Sequence, residues 1–256
     1  MSCDLLELRD VSIGFWRGRR GELVLDRVSM DVRAGELVAV VGQRWEGKST
    51  LLRLAAGMLL AHEGHVRFEG VDLAEIPGRR RARLLGREIV WLDRQDADLG
   101  LRVLDCVGLP MAMGRARGRA QVRRMAADAL ERVGVGHVAH SRPPELSSWE
   151  RVLVGVASAI LASPKLVVVD DLFDALGVRR TQQLGDLLRS LAHDSAFAVL
   201  FGVSDIEAAV MAHRVMAFEQ RTLRVMSQQP QDHTDELSLA RAGRSARGRS
   251  PSTSAC

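Results

Sequence analysis

The chain has 256 residues, 46% of them hydrophobic and 27% charged, with a formal net charge of +4 at pH 7. That length supports one large core or two small ones. No run of about 18 apolar residues occurs, and the opening "MSCDLLELRD" lacks the basic-then-apolar order of a signal peptide, so a soluble intracellular protein is expected. Three cysteines (Cys3, Cys106, Cys256), far apart and without motif spacing, argue against a zinc site or a disulfide framework.

In chain order, "LLELRDVSI" and "LVLDRVSMDV" alternate with period two and predict strands of an antiparallel piece, with "HVRFEG" (65–70) a third. "ELVAVV" (36–41) is a continuous apolar, β-branched run, the mark of a buried strand. "KSTLLRLAAGMLL" follows as a helix, placing Leu51, Leu54, Ala55 and Met58 on one face. "REIVWL" predicts another buried strand, and Val103 to Val133 is mostly helical. "ERVLVGVASAILA" (150–162) is an apolar helix leading to the strand "KLVVVDD" (165–171). The helix "TQQLGDLLRSLA", the strand "FAVLFGV" and the closing pair "HRVMAF" and "TLRVM" complete the order. Buried strands separated by helices predict an α/β fold with a parallel sheet. The helical stretch at about 100–162 reads as an insertion in a domain spanning 1–226. Residues 227–256, rich in Ser, Arg and Gly and poor in large apolar residues, are expected to be a disordered tail.

Positive charge comes almost entirely from arginine, since Lys48 and Lys165 are the only lysines. Arg, Ala, Gly and Val enrichment also follows from a GC-rich genome. The runs at 17–20, 78–83 and 115–124 are therefore read as solvated surface, with nucleic acid or acidic lipid as the alternative contact.

The chemistry concentrates in "VVGQRWEGKSTLL" (40–52). Gly42, then Gly47, Lys48 and Ser49, stand between a buried strand and an amphipathic helix, which is the context a phosphate-binding loop requires. There the backbone N–H groups of Gln43, Arg44, Trp45 and Glu46 and the helix start at Thr50 would face phosphate. Lys48 would neutralise β/γ charge, and the Ser49 hydroxyl would hold Mg²⁺. With lysine so scarce, one in this slot is not chance. The matching acid is Asp170, at the end of "LVVVDD", with Asp171 beside it.

From about Leu6 to Met226 the sequence resembles the ATP-binding subunits of ABC transporters. "LSSWE" (146–150), followed by "RVLVGVASAILASPKLVVVDD", aligns without a gap onto that family's LSGGQ-type signature, signature helix and Walker B strand. "VLDCVGLPM" (103–111) is similar to the segment after the Q-loop in the lipoprotein-release and macrolide-export subgroup. The resemblance implies a P-loop NTPase ABC ATPase domain, with a parallel sheet core, an antiparallel β subdomain and a helical subdomain. It implies ATP and Mg²⁺ as cofactors, Phe15 stacked on adenine and Ser147 contacting the γ-phosphate held by the opposite subunit. Asp171 falls at the catalytic glutamate, Ser204 at the switch histidine, and Gln95, or Asp93 or Arg94 in strict alignment, at the metal-contacting Q-loop glutamine. Implied partners are a transmembrane permease and a second ABC ATPase, in a homodimer or heterodimer. The implied location is cytoplasmic, on the inner face of the cell membrane through the permease; nucleic acid is not expected.

Several positions depart from the family pattern. Trp45 replaces a phosphate-loop glycine, although Trp tolerates neither close backbone approach nor positive φ well. Its indole either obstructs the loop or swings outward over the nucleotide. Ser148 and Trp149 replace the two signature glycines, and Trp149 is expected to obstruct the clamp and face Trp45 across the dimer seam. Asp171 is one methylene shorter than glutamate, Leu172-Phe173 replace Pro-Thr, Gly177 replaces the D-loop aspartate, and Ser204 is shorter than histidine and never cationic. These losses touch both halves of the composite site and predict weak ATP binding with slow hydrolysis. A catalytically inactive scaffold or regulator is the alternative function. A soluble ABC protein acting on nucleic acid or ribosomes is the third, suggested only by the arginine runs.

Overall fold

The computed structural model describes residues 4–17, 20–93, 100–113 and 118–228. Its centre is a six-stranded sheet in the order β10-β9-β3-β8-β7-β6. The strands are β3 (Leu37–Val41), β6 (Ile89–Leu92), β7 (Leu166–Val169), β8 (Ala198–Val203), β9 (Arg214–Glu219) and β10 (Thr222–Gln228). All neighbours are parallel except the β9–β10 pair. β3, β7 and β8 read as unbroken apolar runs because both their faces are covered. Val38, Val40, Leu166, Val168, Ala198 and Leu200 pack on one side with Leu51, Leu52 and Leu54 of α1 (Lys48–Ala55). Their alternates Leu37, Ala39, Val167, Val169, Val199 and Phe201 pack on the other, with α5 (Ser148–Leu161) and α6 (Val178–Ser195).

A second, antiparallel sheet in the order β2-β1-β4-β5 comprises β1 (Leu6–Arg17), β2 (Arg20–Val32), β4 (Glu63–Phe68) and β5 (Val71–Asp72). Its inward residues, among them Leu6, Leu8, Val11, Leu25 and Val28, share the α1-side core. Arg214 of β9 joins the two sheets. Its Nη1 donates to Asp31 Oδ2 of β2 at 3.0 Å, and its Nε lies 3.4 Å from Glu36 Oε1. Both Arg214 and Glu36 are buried, and burial raises the Glu36 carboxyl above its usual range against the pull of Arg33 and Arg214. Between the sheets' segments, α3 (Val103–Met113), α4 (Arg119–Arg132) and α5 pack on one another as a helical layer.

Two elements differ from expectation. The helix starting at Lys48 ends at Ala55 rather than running on through Leu60. Gly57 takes φ 73, its N–H bonds to Leu54 O at 2.9 Å, and Met58 N–H reaches Arg53 O at 2.8 Å. This is a glycine-terminated helix end, and it turns Met58 out to 50% exposure rather than onto the buried face. The helix α2 (Gly78–Leu84) was not anticipated, because "GRRRARL" buries no residue and so shows no apolar period. No helix among the described residues is long and apolar enough to cross a membrane. The expected tail beyond Gln228 lies outside the described residues.

Candidate functional site

β3 delivers residues 42–47 to the start of α1, and local geometry dictates the two framing glycines. A Cβ on Gly42 would lie 2.8 Å from Phe218 Cβ. Gly47 takes φ 109, and a Cβ there would meet Val24 Cγ1 at 3.0 Å and Val24 O at 3.2 Å. Gly42 N–H donates to Val203 O at 3.2 Å, tying the loop to the end of β8. Trp45 adopts the left-handed φ of 73 that glycine would favour, with its indole swung outward to 98% exposure. The indole therefore leaves the loop backbone clear, at a conformational cost of about 1–2 kcal/mol.

Lys48 is buried, and its Nζ donates to Gly42 O, to Gln43 O at 3.1 Å and to Ser204 Oγ at 3.2 Å. Ser49 Oγ donates to Asp170 Oδ1 at 3.0 Å, joining the first turn of α1 to the end of β7. Burial raises the Asp170 carboxyl above the ordinary range, and the Ser49 hydrogen bond opposes the shift. A buried carboxylate and an adjacent hydroxyl are hard oxygen donors, which suit Mg²⁺ when it also keeps phosphate and water ligands. Glu46 folds back across the loop, where its Oε2 accepts from Gln43 N–H at 2.6 Å.

Phe15, Trp45, Lys48, Ser49, Thr50 and Asp171 line one cavity of about 690 Å³. Phe15 is 48% exposed on β1, across the strand pair from Glu22. Asp171 is exposed and left-handed at φ 53, whereas Leu172 and Phe173 turn inward. Phe173 packs on Phe201 with ring centroids 4.9 Å apart. Gly177 precedes α6 as an exposed, extended residue.

Residues missed from sequence also border the cavity or its rim. Arg53 and Glu22 line the cavity beside Lys48. Asp174 accepts from Ser204 N–H at 2.9 Å and from Ser204 Oγ–H at 2.6 Å, so the Ser204 hydroxyl is held by an acid from the segment after β7. The available signal was an acid three residues beyond Asp171. A second cavity of about 810 Å³, lined by Gln43, Asp174, Ser204, Val178 and Val210, lies on the far side of Ser204.

Ser147 lies outside the lining of the cavity at Lys48, and it caps α5. Its Oγ accepts from Glu150 N–H at 3.2 Å, and its own N–H and Oγ–H donate to Glu150 Oε2 at 2.8 and 2.7 Å. These bonds, with one from His137, hold the Glu150 carboxyl down at about 2. Trp149 stands in the first turn of α5. It is half-buried, packs on the core and lies under the Arg180 guanidinium, whose Cζ is 5.6 Å from the ring centroid. Apolar burial and the cation hold the indole against its own chain, in contrast to the outward Trp45. Asp93 accepts from Trp91 Nε1 at 3.0 Å. Gln95 and Arg94 lie outside the described residues.

The family model described as "ABC transporter" matches residues 25–174. The lipoprotein-releasing system ATP-binding protein LolD of Pseudomonas syringae pv. tomato is 32% identical over 216 residues, 84% of this chain and 95% of that protein. The sulfate/thiosulfate import ATP-binding protein CysA of Nephroselmis olivacea is 32% identical over 200 residues, 78% of this chain and 57% of that one. Among solved structures, a dimeric ATP-binding cassette in a post-hydrolysis state, bound to ADP and Pi, matches with a TM-score of 0.79 at 21% identity. That match covers 88% of this chain and 99% of the other. CbiO1 from Clostridium perfringens matches with a TM-score of 0.77 at 18% identity, covering 95% of this chain and 96% of that one. The chain belongs to the ABC transporter family, as the ATP-binding subunit of a membrane transporter.

Proposed function

We propose that this chain binds MgATP in the cavity between Phe15 and Lys48 and passes the binding energy, with slow hydrolysis, to a separate membrane permease. It would act as one half of an ATPase dimer, on the inner face of the membrane through that permease. The observation that carries the reading is the 3.0 Å contact between Ser49 and Asp170 beside a buried Lys48. A lysine, a hydroxyl and a carboxylate converge there on a backbone loop open to phosphate.

Ser49 and Asp170 would hold Mg²⁺, which when bound would neutralise charge on the β/γ-phosphate oxygens. Lys48 exchanges its loop carbonyls for phosphate oxygens, and the N–H groups at the start of α1 accept the remaining charge. Phe15 and the outward Trp45 offer aromatic surface at the cavity mouth for a base.

Slow hydrolysis rests on two residues. Asp171 reaches the attacking water with a side chain one methylene shorter than glutamate. Ser204, held in place by Asp174 and Lys48, is shorter than a histidine and never cationic, so it stabilises charge on the terminal phosphate less. On the partner side, Ser147 would serve the opposite site while keeping its cap on α5.

The test is MgATP binding by calorimetry and phosphate release with the permease present, for the native chain and Lys48→Ala. Micromolar binding, with turnover that exceeds the variant's, is expected. No binding by the native chain would overturn the site. Binding without turnover above the variant would leave a nucleotide-holding scaffold.

A further inference from the structure

We infer that the Glu46 carboxylate is a resident anion of the phosphate loop, and that it determines how strongly phosphate, and above all triphosphate, is taken up there. This rests on reading the loop as the MgATP site. Glu46 is the fifth residue of the Gly42–Lys48 stretch, and its side chain, though solvent-exposed, folds back onto the loop. Its Oε2 accepts from Gln43 N–H at 2.6 Å and lies 2.9 Å from where a Cβ on Gly42 would stand. Glu46 N–H returns to Gln43 O at 3.4 Å, so residues 43 and 46 close a small ring with the carboxylate across it.

A carboxylate on a loop amide uses the same donor that a phosphate oxygen would use. The two are competitors for one N–H. No cation among the described residues lies within ion-pair distance of Glu46, because Lys48 is drawn to the carbonyls of Gly42 and Gln43 and to Ser204. The carboxylate therefore holds its charge on the loop without a direct ion pair, the Lys48 ammonium being bound to the loop carbonyls instead.

Two consequences follow for a ligand. Phosphate must displace Glu46 from Gln43 N–H, and the displaced carboxylate stays tethered within a few ångströms of the incoming charge. Repulsion between like charges at about 4 Å corresponds to a loss of affinity of about fivefold in water and about a thousandfold at the dielectric of a protein surface, and solvent exposure of the loop sets it between them, at roughly tenfold to a hundredfold. The loss scales with phosphate charge, so it is greatest for ATP, smaller for ADP and nil for adenosine. Glu46 thereby narrows the preference for triphosphate over diphosphate.

The experiment titrates the full chain, Glu46→Gln and Glu46→Ser with adenosine, MgADP and MgATP by calorimetry at low and high salt. Gln keeps the size and the acceptor oxygen of Glu and removes only the charge, so a purely structural contact would leave its affinities unchanged. Both variants are expected to bind MgATP roughly tenfold to a hundredfold more tightly than the native chain, with a smaller gain for MgADP and none for adenosine. The gain should shrink at high salt. Equal or weaker MgATP binding by Glu46→Gln would overturn the inference while leaving the site intact. Absence of MgATP binding by all three proteins would overturn the inference and the site together.

Discussion

Asp174 holds Ser204 with both carboxylate oxygens, one on the backbone N–H at 2.9 Å and one on the hydroxyl at 2.6 Å. Ser204 Oγ in turn accepts from Lys48 Nζ at 3.2 Å, so the residue after β8 is fixed to both the phosphate loop and the segment after β7. Asp174→Ala releases Ser204 from one side only. Steady-state phosphate release is expected to fall about tenfold with little change in KM, since the lost group positions rather than binds. Ser204→Ala should lose a similar amount, and the double variant no more than the worse single one. Additive losses would mean that the two residues act separately.

Trp45 combines a left-handed backbone with a fully exposed indole, so glycine fits its conformation better. Trp45→Gly is expected to stabilise the free protein by about 1 kcal/mol, net of the extra chain entropy of glycine. For a chain of this size that raises Tm by about 2–4 °C, readable by calorimetric scanning. The same exposure makes Trp45 a reporter: its emission should shift to the blue when MgATP fills the cavity, and the shift should vanish in Trp45→Phe. An unchanged Tm would show that the strained backbone is relieved in solution.

The cap on α5 carries a pH signature. Hydrogen bonds from Ser147, and then His137, depress the Glu150 carboxyl from 4.5 to about 2. A lowered carboxyl contributes stability that is whole above its unfolded value and is lost as pH falls through the folded one. The stability gap between the native chain and Glu150→Gln should therefore be constant from neutral pH to about 4.5 and close toward about 2. Urea unfolding at stepped pH measures it, and a gap that does not change with pH would show that only the size and shape of the side chain matter.

Arg214 is the buried strut between the sheets. Arg214→Ala leaves Glu36 buried without its cation and is expected to cost about 3–5 kcal/mol in urea unfolding. Asp31→Asn should cost less, because Asp31 is only partly buried and Glu36 keeps its arginine. Equal losses would shift the weight of the cluster from Glu36 to Asp31.

The residues that read most clearly from sequence are those whose environment is set within a few positions. β3, β7 and β8 announce themselves because burial on both faces leaves no polar alternate, and Lys48, Ser49 and Asp170 because their spacing is tied to a strand–loop–helix and a strand end. Asp174 and Ser204 are 30 residues apart, and only the adjacency of β7 and β8 in the sheet brings them together. The inward turn of the Glu46 carboxylate and the retreat of Trp149 beneath Arg180 are side-chain choices made by neighbours that no periodicity reveals. The missed helix α2 shows the same limit from the other side: without a buried face it leaves no pattern to read.

Arg180 over Trp149 joins the first turn of α6 to the first turn of α5. A contact of this kind is worth about 1 kcal/mol when partly exposed, which leaves it broken in about one molecule in six at room temperature. It works as a weak latch rather than a weld. α6 follows directly on the segment carrying Asp171 and Asp174, so the latch ties the start of α5 to the chain just past those acids, and thermal motion breaks and remakes that tie continually.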